Sequence, residues 1–429
     1  MSFRGPKIIK VGGGLGQTNP SDRNVAALIV PYGYSTSGSP TGSVHELRSL
    51  EDLEALGFSA ATDANALAGS DNPSLTWYHV SEFFRINPDG RLWLVNADEV
   101  PINEVFDADG PADQAMSASS NSIRCIGVIP GLLAGPVVDG FAAGVAALRT
   151  AAQNWVEARA EAHVYVDCVV IPGLKAPLEA LFDLKTADAP NVHITIAQDI
   201  DYVGAIDNSG DLWSSTAAVG TVLGSIGVRM LSESIGSVTL EKYPDNKRGA
   251  ANYSLVDTRL GRWLRPGYGA AGTPVAFDDM PQSKRDELTE KGYGYAGRYE
   301  GYPGVYLNGD STCTLATDDF NTIHINRIWN EAARMVRRAL IPRMNSRVRI
   351  DPDSGQIAPA TIADWDAAAK RQLDTLLAEG EIADYTFVLD PAQDVIAQGK
   401  VITKLRIVPQ GIAKEIEGEI GFTNPAQQA

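Results

Sequence analysis

The stretch "IRCIGVIPGLLAGPVVDGFAAGVAALRTAAQNWVEARAEAHVYVDCVVIPG", residues 123–173, holds two short apolar runs on either side of a helical pattern. The runs "IRCIGVIPG" and "HVYVDCVVIPG" both end in Pro-Gly, which is typical of strands that stop at a turn. Between them, "FAAGVAALRTAAQNWVEARAEA" has the length and composition of a helix. A strand, a helix and a strand in this order predict a crossover unit with two parallel strands in one sheet.

The same alternation continues along the chain with the helix "APLEALFDLKT", the strand "NVHITIAQD" and the helix "SSTAAVGTVLGSIGVRMLSESI". Strands that are apolar almost throughout are typical of parallel sheets covered on both faces. The sequence therefore predicts a middle α/β layer in a multidomain α/β and α+β protein.

The region before residue 123 adds elements of the same kind. "NVAALIVPYG" predicts a buried strand, "SLTWYHVSEFFRIN" a helix and "RLWLVNADEV" a further strand. A short helix is expected where Ser49 can cap, Asp52 stands three residues on and Gly57 ends the element. In the C-terminal region, "TIADWDAAAKRQLDTLLAEG" predicts a helix capped by Thr361 and ended by Gly380.

The composition is that of a folded protein, since 44% of the 429 residues are hydrophobic and 21% are charged. The net charge of −17 disfavours a nucleic-acid partner, because phosphate neutralisation requires a basic surface. No apolar run approaches the roughly 18 residues of a membrane span, and the N-terminal residues lack a signal-peptide core. We therefore expect synthesis in a cytoplasm and no direct membrane insertion.

No motif predicts a cofactor, a metal ion or a catalytic residue. "VGGGLGQ", residues 11–17, lacks the Gly-Lys-Ser/Thr ending of a phosphate loop, so a hinge is favoured. "GYSTSG", residues 33–38, and "GSIG", residues 224–227, do not have the spacing of a nucleophile elbow. The histidines are dispersed and the three cysteines are widely spaced, which favours structural histidines and buried free thiols.

The chain ends in a strand pattern in which apolar and acidic residues alternate. Glu415, Glu417 and Glu419 occupy odd positions, while the even positions carry Ile412, Ile416, Ile420 and Phe422. One hypothesis is a hairpin with "KVITKLRIV" joined at "PQG", which would pair these glutamates with Lys400, Lys404 and Arg406. The other is that the terminal strand adds to the sheet of a neighbouring subunit by β-augmentation.

Seven arginines fall within 23 residues of this acidic chain, at positions 327, 334, 337, 338, 343, 347 and 349. Some of them complement the C-terminal dipole of their own helix. The others predict a docking surface for an acidic partner.

The order of these features resembles the tail sheath proteins of contractile phages and related contractile injection machines. "VAALIVPYGYSTSGSPTGSVHELRSLEDLEALGF" resembles the N-terminal sheath pattern, and "YHVSEFFRINPDGRLWLVNADEV" resembles its helix, turn and strand. "NTIHINRIWNEAARMVRRALIPRMN" and "TIADWDAAAKRQLDTLLAEGEIADYTFVLD" resemble the sheath C-terminal domain. The turn "NPDG" replaces the usual double glycine, and Arg327 alone replaces the usual paired arginines, which indicates a divergent branch such as that of Mu-like phages.

The resemblance implies a virion structural protein and not an enzyme. Its subunits would form stacked sixfold rings around a tail tube and contract to drive the tube through a target envelope. The implied partners are other copies of the chain, the tail tube protein, and the baseplate and tail terminator proteins. The implied inter-subunit arm residues are Lys7, Ile8, Ile9, Lys10, Val11, Ile412, Ile416, Ile420 and Phe422. The tube contact is expected at Arg334, Arg337, Arg338 and Arg343, with the acidic helix Asp364–Glu379 as the second choice.

The predicted domain order is an N-terminal arm and hinge (1–22), outer α/β domains (23–255), a sheath-like inner C-terminal domain (256–408) and a C-terminal arm (409–429). Two alternatives remain open. The middle layer could be an α/β enzyme with a ligand at its strand ends, where Asp199 and Asp201 are the promising residues. The chain could also be another virion subunit, of a tube or a capsid.

Overall fold

We describe the protein from a computed structural model, which covers residues 23–69, 74–129, 144–173, 182–206, 217–239, 252–270 and 273–422. The helices are α1 Leu50–Ala55, α2 Ala60–Gly69, α3 Thr76–Ile86, α4 Pro111–Ala118, α5 Val145–Glu161, α6 Ile200–Ile206, α7 Val219–Val228, α8 Gln282–Glu290, α9 Ile323–Leu340, α10 Pro359–Glu379 and α11 Val395–Gln398. The strands are β1 Val25–Val30, β2 Ser43–Leu47, β3 Arg91–Asn96, β4 Cys125–Val128, β5 Cys168–Pro172, β6 Val192–Thr195, β7 Gln198–Asp199, β8 Pro266–Ala270, β9 Thr273–Ala276, β10 Ala296–Gly297, β11 Tyr306–Leu307, β12 Ile382–Leu389 and β13 Thr403–Pro409.

The chain divides into two units. Unit 1 consists of residues 1–229 and 235–326, and unit 2 consists of residues 230–234 and 327–429. The predicted domain boundary at residue 255 does not coincide with this division. Residues 256–326 fall in unit 1 because Trp263, Val305 and Leu307 are buried in its core.

Unit 1 is built on a six-stranded sheet of order β2-β3-β1-β4-β5-β6. All neighbouring pairs are parallel except β2 and β3. All six residues of β1 are buried, and they alternate between two apolar clusters: Val25, Ala27 and Ile29 face one, and Ala26, Leu28 and Val30 face the other. Burial on both faces explains the continuous apolar runs, and the predicted α/β layer is confirmed.

Helices cover both faces of this sheet. One cluster includes apolar residues of α4 and α5, and the other includes residues of α1, α3 and α7. The predicted capping box of α1 is present, since Ser49 Oγ accepts from Asp52 N and the Asp52 carboxylate accepts from Ser49 N. Helix α7 is shorter than predicted and ends at Val228, because Arg229 adopts extended backbone.

Helices α3 and α7 pack closely because α7 presents glycines to α3. A Cβ on Gly220 would collide with the carbonyl oxygen of His79, and one on Gly224 would lie 2.9 Å from the carbonyl oxygen of Phe83. The "GSIG" motif therefore contributes to a helix crossing, which agrees with its rejection as a nucleophile elbow.

Unit 2 packs two helices against a two-stranded antiparallel sheet of β12 and β13. Its apolar cluster includes Ile328 and Met335 of α9, Leu373 and Leu376 of α10, and Phe387 of β12. Gly380 ends α10 in the left-handed conformation, as expected, with φ 76°. The predicted cap at Thr361 is wrong: α10 begins two residues earlier with Pro359 in its first turn, where proline's fixed φ suits a helix start.

Helix α9 ends at Leu340, followed by a short 3-10 turn from Ile341 to Arg343, because Pro342 cannot donate the backbone hydrogen bond that would continue the helix. Among the described helices, none is both long and apolar enough to cross a membrane.

Candidate assembly surface

The sheet of unit 2 has an open edge at β13. The ladder joins Leu389 to Thr403 at one end and Ile382 to Pro409 at the other. Within residues 273–422 and the other described ranges, no strand pairs with the second edge of β13. That edge presents unpaired backbone N–H and C=O groups, which are a template for a further strand.

The two faces of this sheet differ in chemistry. The covered face carries Phe387 and Leu389 of β12 with Leu405 and Ile407 of β13, and it packs in the unit 2 core. The other face is solvent-exposed and carries Asp384, Thr386 and Val388 of β12 with Lys404, Arg406 and Val408 of β13. Val388 and Val408 are each about half exposed, at 47% and 51%.

The C-terminal segment, Gly411–Phe422, follows β13 without forming a helix or strand. Ile412 is half-buried, whereas Ile416 is 89% exposed and Ile420 and Phe422 are fully exposed. The hairpin hypothesis is wrong for the described residues, because β13 pairs with β12 and not with this segment. The other predicted arm, Lys7–Val11, lies outside the described residues.

Three of the seven clustered arginines are held by groups of unit 2. Arg327 is buried and donates from Nη1 to Met230 O at 2.8 Å. Arg334 Nε lies 2.9 Å from Glu331 Oε2, and both side chains are about nine-tenths buried. Arg343 makes a two-pronged contact with the Asp364 carboxylate, from Nε at 3.1 Å and from Nη2 at 3.2 Å.

The remaining four, Arg337, Arg338, Arg347 and Arg349, are exposed. Ile341 and Met344, which lie between them in sequence, are also exposed, at 50% and 67%. Of the four predicted tube-contact residues, Arg337 and Arg338 are thus the ones presented to solvent, whereas Arg334 and Arg343 are engaged within unit 2. The Asp364–Glu379 helix is the second choice for the tube contact. One of its carboxylates, that of Asp364, forms an ion pair with Arg343.

A group of charged side chains in the core of unit 1 surrounds Glu82 of α3. Its Oε2 atom accepts from Arg85 Nη2 at 2.6 Å and from Trp263 Nε1 at 2.9 Å, and Arg262 Nε lies 3.7 Å from Oε1. Burial alone would raise the pKa of Glu82, but the two guanidinium groups and the hydrogen bonds hold it below its ordinary value. Arg262 also stacks over the ring of Tyr202, with its Cζ atom 3.4 Å from the centroid. This cluster joins distant parts of the chain.

The two aspartates of the enzyme alternative do not converge. Asp199 is fully buried and accepts from Trp263 N at 2.9 Å, and burial raises its pKa to about 6. Asp201 is near the surface and pairs with Arg265 at 3.3 Å. The loops after β4 and β5, where the enzyme alternative places a ligand, lie outside the described residues from residues 130 and 174 onward.

The described residues contain no group of His, Cys, Asp and Glu side chains able to hold a metal ion. Cys125, Cys168 and Cys313 are free and buried, as the sequence predicts. Burial raises the pKa of the Cys313 thiol to about 12, which makes it a poor nucleophile.

Comparison with solved structures identifies relatives along the whole chain. A chain in the cryo-EM structure of the anti-feeding prophage (AFP) baseplate, 6-fold symmetrised, is 16% identical with a TM-score of 0.58, over 99% of this chain and 100% of that one. A chain of the AFP helical sheath in the contracted state gives the same identity and TM-score over 98% and 99%. The chain therefore has the fold of contractile sheath proteins.

A third structure with the sheath fold is a chain in the sheath complex of an extracellular contractile injection system, PVC, in the contracted state. It is 12% identical, with a TM-score of 0.54 over 100% of this chain and 99% of that one. In sequence, residues 319–427 match the C-terminal domain of the DUF2586 family. No curated protein matches the sequence. The predicted resemblance to contractile sheath proteins is confirmed.

The sequence reasoning missed the strand that partners β13. In strand β12, "IADYTFVL", apolar and polar residues alternate less clearly than in the terminal segment. Ala383, Asp384 and Thr386 are all exposed, and the first two are consecutive. A signal was available in its β-branched and aromatic content directly after the helix stop at Gly380.

Proposed function

We propose that the chain is the structural subunit of a contractile sheath, and not an enzyme. Its copies polymerise as stacked sixfold rings around a tail tube, and contraction of the sheath drives the tube through a target envelope. Two features support this proposal: the sheath fold over the whole chain, and a C-terminal segment with exposed apolar side chains beside an open strand edge.

The exposed terminal segment is the observation that carries self-assembly. Covering one Ile or Phe side chain contributes about 1.5–3 kcal/mol, and Ile416, Ile420 and Phe422 are uncovered in the isolated chain. We infer that these residues and Ile412 form an arm that adds to the sheet of another subunit, and that Lys7–Val11 form a second arm. Many weak links of this kind give strong binding in sum.

The proposed partners beyond the chain itself are a tail tube protein at the inner surface and baseplate and tail terminator proteins at the two ends. The baseplate partner draws support from the relative in the AFP baseplate. The proposed location is the sheath of a phage tail or phage-like particle, assembled in a bacterial cytoplasm. In a phage, contraction would accompany genome ejection.

Deletion of Gly411–Ala429 tests the arm. We expect the truncated chain to keep the circular dichroism and unfolding midpoint of the full chain, because the described part of the removed segment is largely exposed. We also expect it to form no cylinders in negative-stain electron microscopy at concentrations where the full chain does. A chain lacking only residues 423–429, which are polar apart from Pro425 and two alanines, is the matched control and should polymerise normally. Normal cylinders from the long truncation would refute the arm.

The tube contact is proposed at Arg337 and Arg338, because both are exposed on unit 2. Reversal of both to Glu should spare self-assembly and reduce co-sedimentation with tubes of the tail tube protein. Arg371→Glu reverses an exposed charge on α10 and should leave co-sedimentation unchanged. Equal losses for both variants would indicate a general charge effect and not a local contact.

A further inference from the structure

Resting on the proposed self-assembly, we propose that charge selects where the C-terminal segment binds. The acidic row Glu415, Glu417 and Glu419 of one copy pairs with Lys404 and Arg406 on β13 of a second copy. This pairing directs the segment to the β13 edge and sets its register there.

The first support is a match of two-residue periods. On β13, Leu405 and Ile407 face the core, while Lys404 and Arg406 face solvent. In the segment, the three isoleucines and Phe422 occupy even positions, together with Lys414 and Gly418, and all three glutamates occupy odd ones. A strand laid along β13 with its isoleucines beside Leu405 and Ile407 therefore places its glutamates beside Lys404 and Arg406.

The second support is the difference between the two strand edges of this sheet. The solvent face of β12 carries the exposed Asp384 and no cation, whereas that of β13 carries two cations. An acidic strand is repelled at β12 and attracted at β13, since opposite charges on neighbouring strands are favourable and like charges are not. The charges thus distinguish two edges that both offer unpaired backbone groups.

The third support is that both sets of charges remain available. In the part of the chain that the structure describes, neither Lys404 and Arg406 nor the three glutamates make an ion pair, although all five are exposed. The C-terminal segment of the same chain does not reach them as a hairpin. Gln410 Nε2 instead donates to Gly380 O at 3.3 Å, which holds the start of the segment near the end of α10.

The same charges disfavour the other proposed arm at this edge. The stretch "KIIKV" carries Lys7 and Lys10, which point to opposite faces of a strand, so one of the two would lie on the side of Lys404 and Arg406 if the stretch occupied β13. The charges at the β13 edge therefore favour the C-terminal arm of a second copy over the N-terminal one, a preference that hydrophobic burial alone does not provide.

A charge exchange tests the proposal on the full-length chain. The variants are Lys404→Glu with Arg406→Glu, the triple change of Glu415, Glu417 and Glu419 to Lys, and the combination of all five. Each partial variant should raise the critical concentration for polymerisation at low salt about tenfold. The combined variant should return to within about twofold of the unmodified chain, because opposite charges again face each other.

The matched control is Arg347→Glu with Arg349→Glu, which changes the net charge as much as the β13 variant at two exposed positions of unit 2. It should leave the critical concentration within about twofold. Lys404→Gln with Arg406→Gln should weaken the salt dependence of polymerisation, because fewer charges remain to be screened.

The outcomes separate this inference from the proposed function. If the unmodified chain polymerises but the combined variant is no better than the partial ones, the charge pairing is refuted while the sheath proposal stands. If the β13 variant polymerises as the unmodified chain does, the pairing is likewise refuted. If the unmodified chain forms no polymer with or without tubes, the proposed function fails, and the inference fails with it.

Discussion

The two units of this chain differ in how much of their apolar surface is buried. Unit 1 covers both faces of its central sheet, and all six residues of β1 are buried. Unit 2 has a two-stranded sheet with one covered face, an open edge and a terminal segment whose Ile420 and Phe422 are fully exposed. A two-stranded sheet is at best marginally stable by itself, so packing on α10 or further strands must support it.

The difference indicates that unit 1 is rigid and that unit 2 carries the surface for association. In unit 1, an ion-paired cluster and a close helix crossing tie distant residues together. In unit 2, exposed apolar and charged residues alternate along the terminal segment. The outer edge of β13 is paired with no described strand. Four perturbations, ordered from the largest expected effect, test this contrast.

Glu82→Ala should give the largest loss of stability. It leaves the guanidinium groups of Arg85 and Arg262 in the core without their carboxylate, which costs about 3–5 kcal/mol. Chemical denaturation followed by circular dichroism measures the change. Glu46→Ala, which removes partly exposed pairs with Arg91 and Arg48, is the control and should cost under about 1 kcal/mol. Similar losses for the two variants would contradict the role assigned to the buried cluster.

Asp63 should make unit 1 less stable as the pH rises. Its buried carboxyl accepts from the backbone N–H groups of Trp77 and Tyr78 at the start of α3 and from Tyr34 Oη, and burial raises its pKa to about 7. An unfolded Asp loses its proton near pH 4, so the folded state binds the extra proton between about pH 4 and 7. This contribution to stability is therefore fully present below about pH 4 and is lost as the pH rises through about 7.

Asp63→Asn removes this titration. Urea unfolding at pH 4.5 and at pH 7.5 should show a smaller loss of stability on raising the pH than in the unmodified chain, by a few kcal/mol at most. Asp113→Asn, at a partly exposed carboxylate paired with Arg159, serves as the comparison. An unchanged pH dependence in Asp63→Asn would show that Asp63 titrates normally.

Gly220→Ala should destabilise unit 1 by about 1–3 kcal/mol, because the added methyl group collides with the carbonyl oxygen of His79 and forces α3 and α7 apart. Gly418→Ala is the matched control, since a Cβ there meets no atom within 4 Å. Thermal unfolding of both variants distinguishes the crowded position from the open one. An unaffected Gly220→Ala midpoint would mean that the helices can separate without cost.

Replacement of Ile416, Ile420 and Phe422 by Ser should have the smallest effect on folding, within about 0.5 kcal/mol, because these side chains contact water already. The same variant should fail to polymerise in a sedimentation assay. Leu373→Ala in the unit 2 core is the contrasting control, with an expected loss of about 2–5 kcal/mol. A large loss of stability in the serine variant would show that the segment packs within its own chain.

Local patterns in the sequence predicted most of the elements correctly. The apolar runs identified β1, β3, β4, β5 and β6, and the capping residues identified α1. Errors arose where competing local signals were similar. Pro359, two residues before Thr361, suits the first turn of α10 and sets the helix start. Strand β12 gives a weak signal because two of its eight residues, Ala383 and Asp384, are weak strand formers.

The candidate site was predicted in part. The alternation in the terminal segment and the arginine cluster are both visible in the sequence, because each depends on residues close together in the chain. The sequence did not separate Arg334, held by Glu331, from the exposed Arg337 and Arg338, nor Arg343, held by Asp364 21 residues away. The spacing of three residues on one helix allows the pair of Arg334 with Glu331, whereas the pair of Arg343 with Asp364 depends on where two segments meet, which spacing alone does not reveal.

The sequence by itself determined the α/β character of the middle region and the amphipathic, acidic end of the chain, because periodicity and charge order are local properties. Only the tertiary structure decided which strand pairs with β13, that residues 256–326 pack with unit 1, and that Asp199 is buried while Asp201 is not. These outcomes depend on contacts between residues far apart in the chain, where many pairings satisfy the same local pattern and packing selects one.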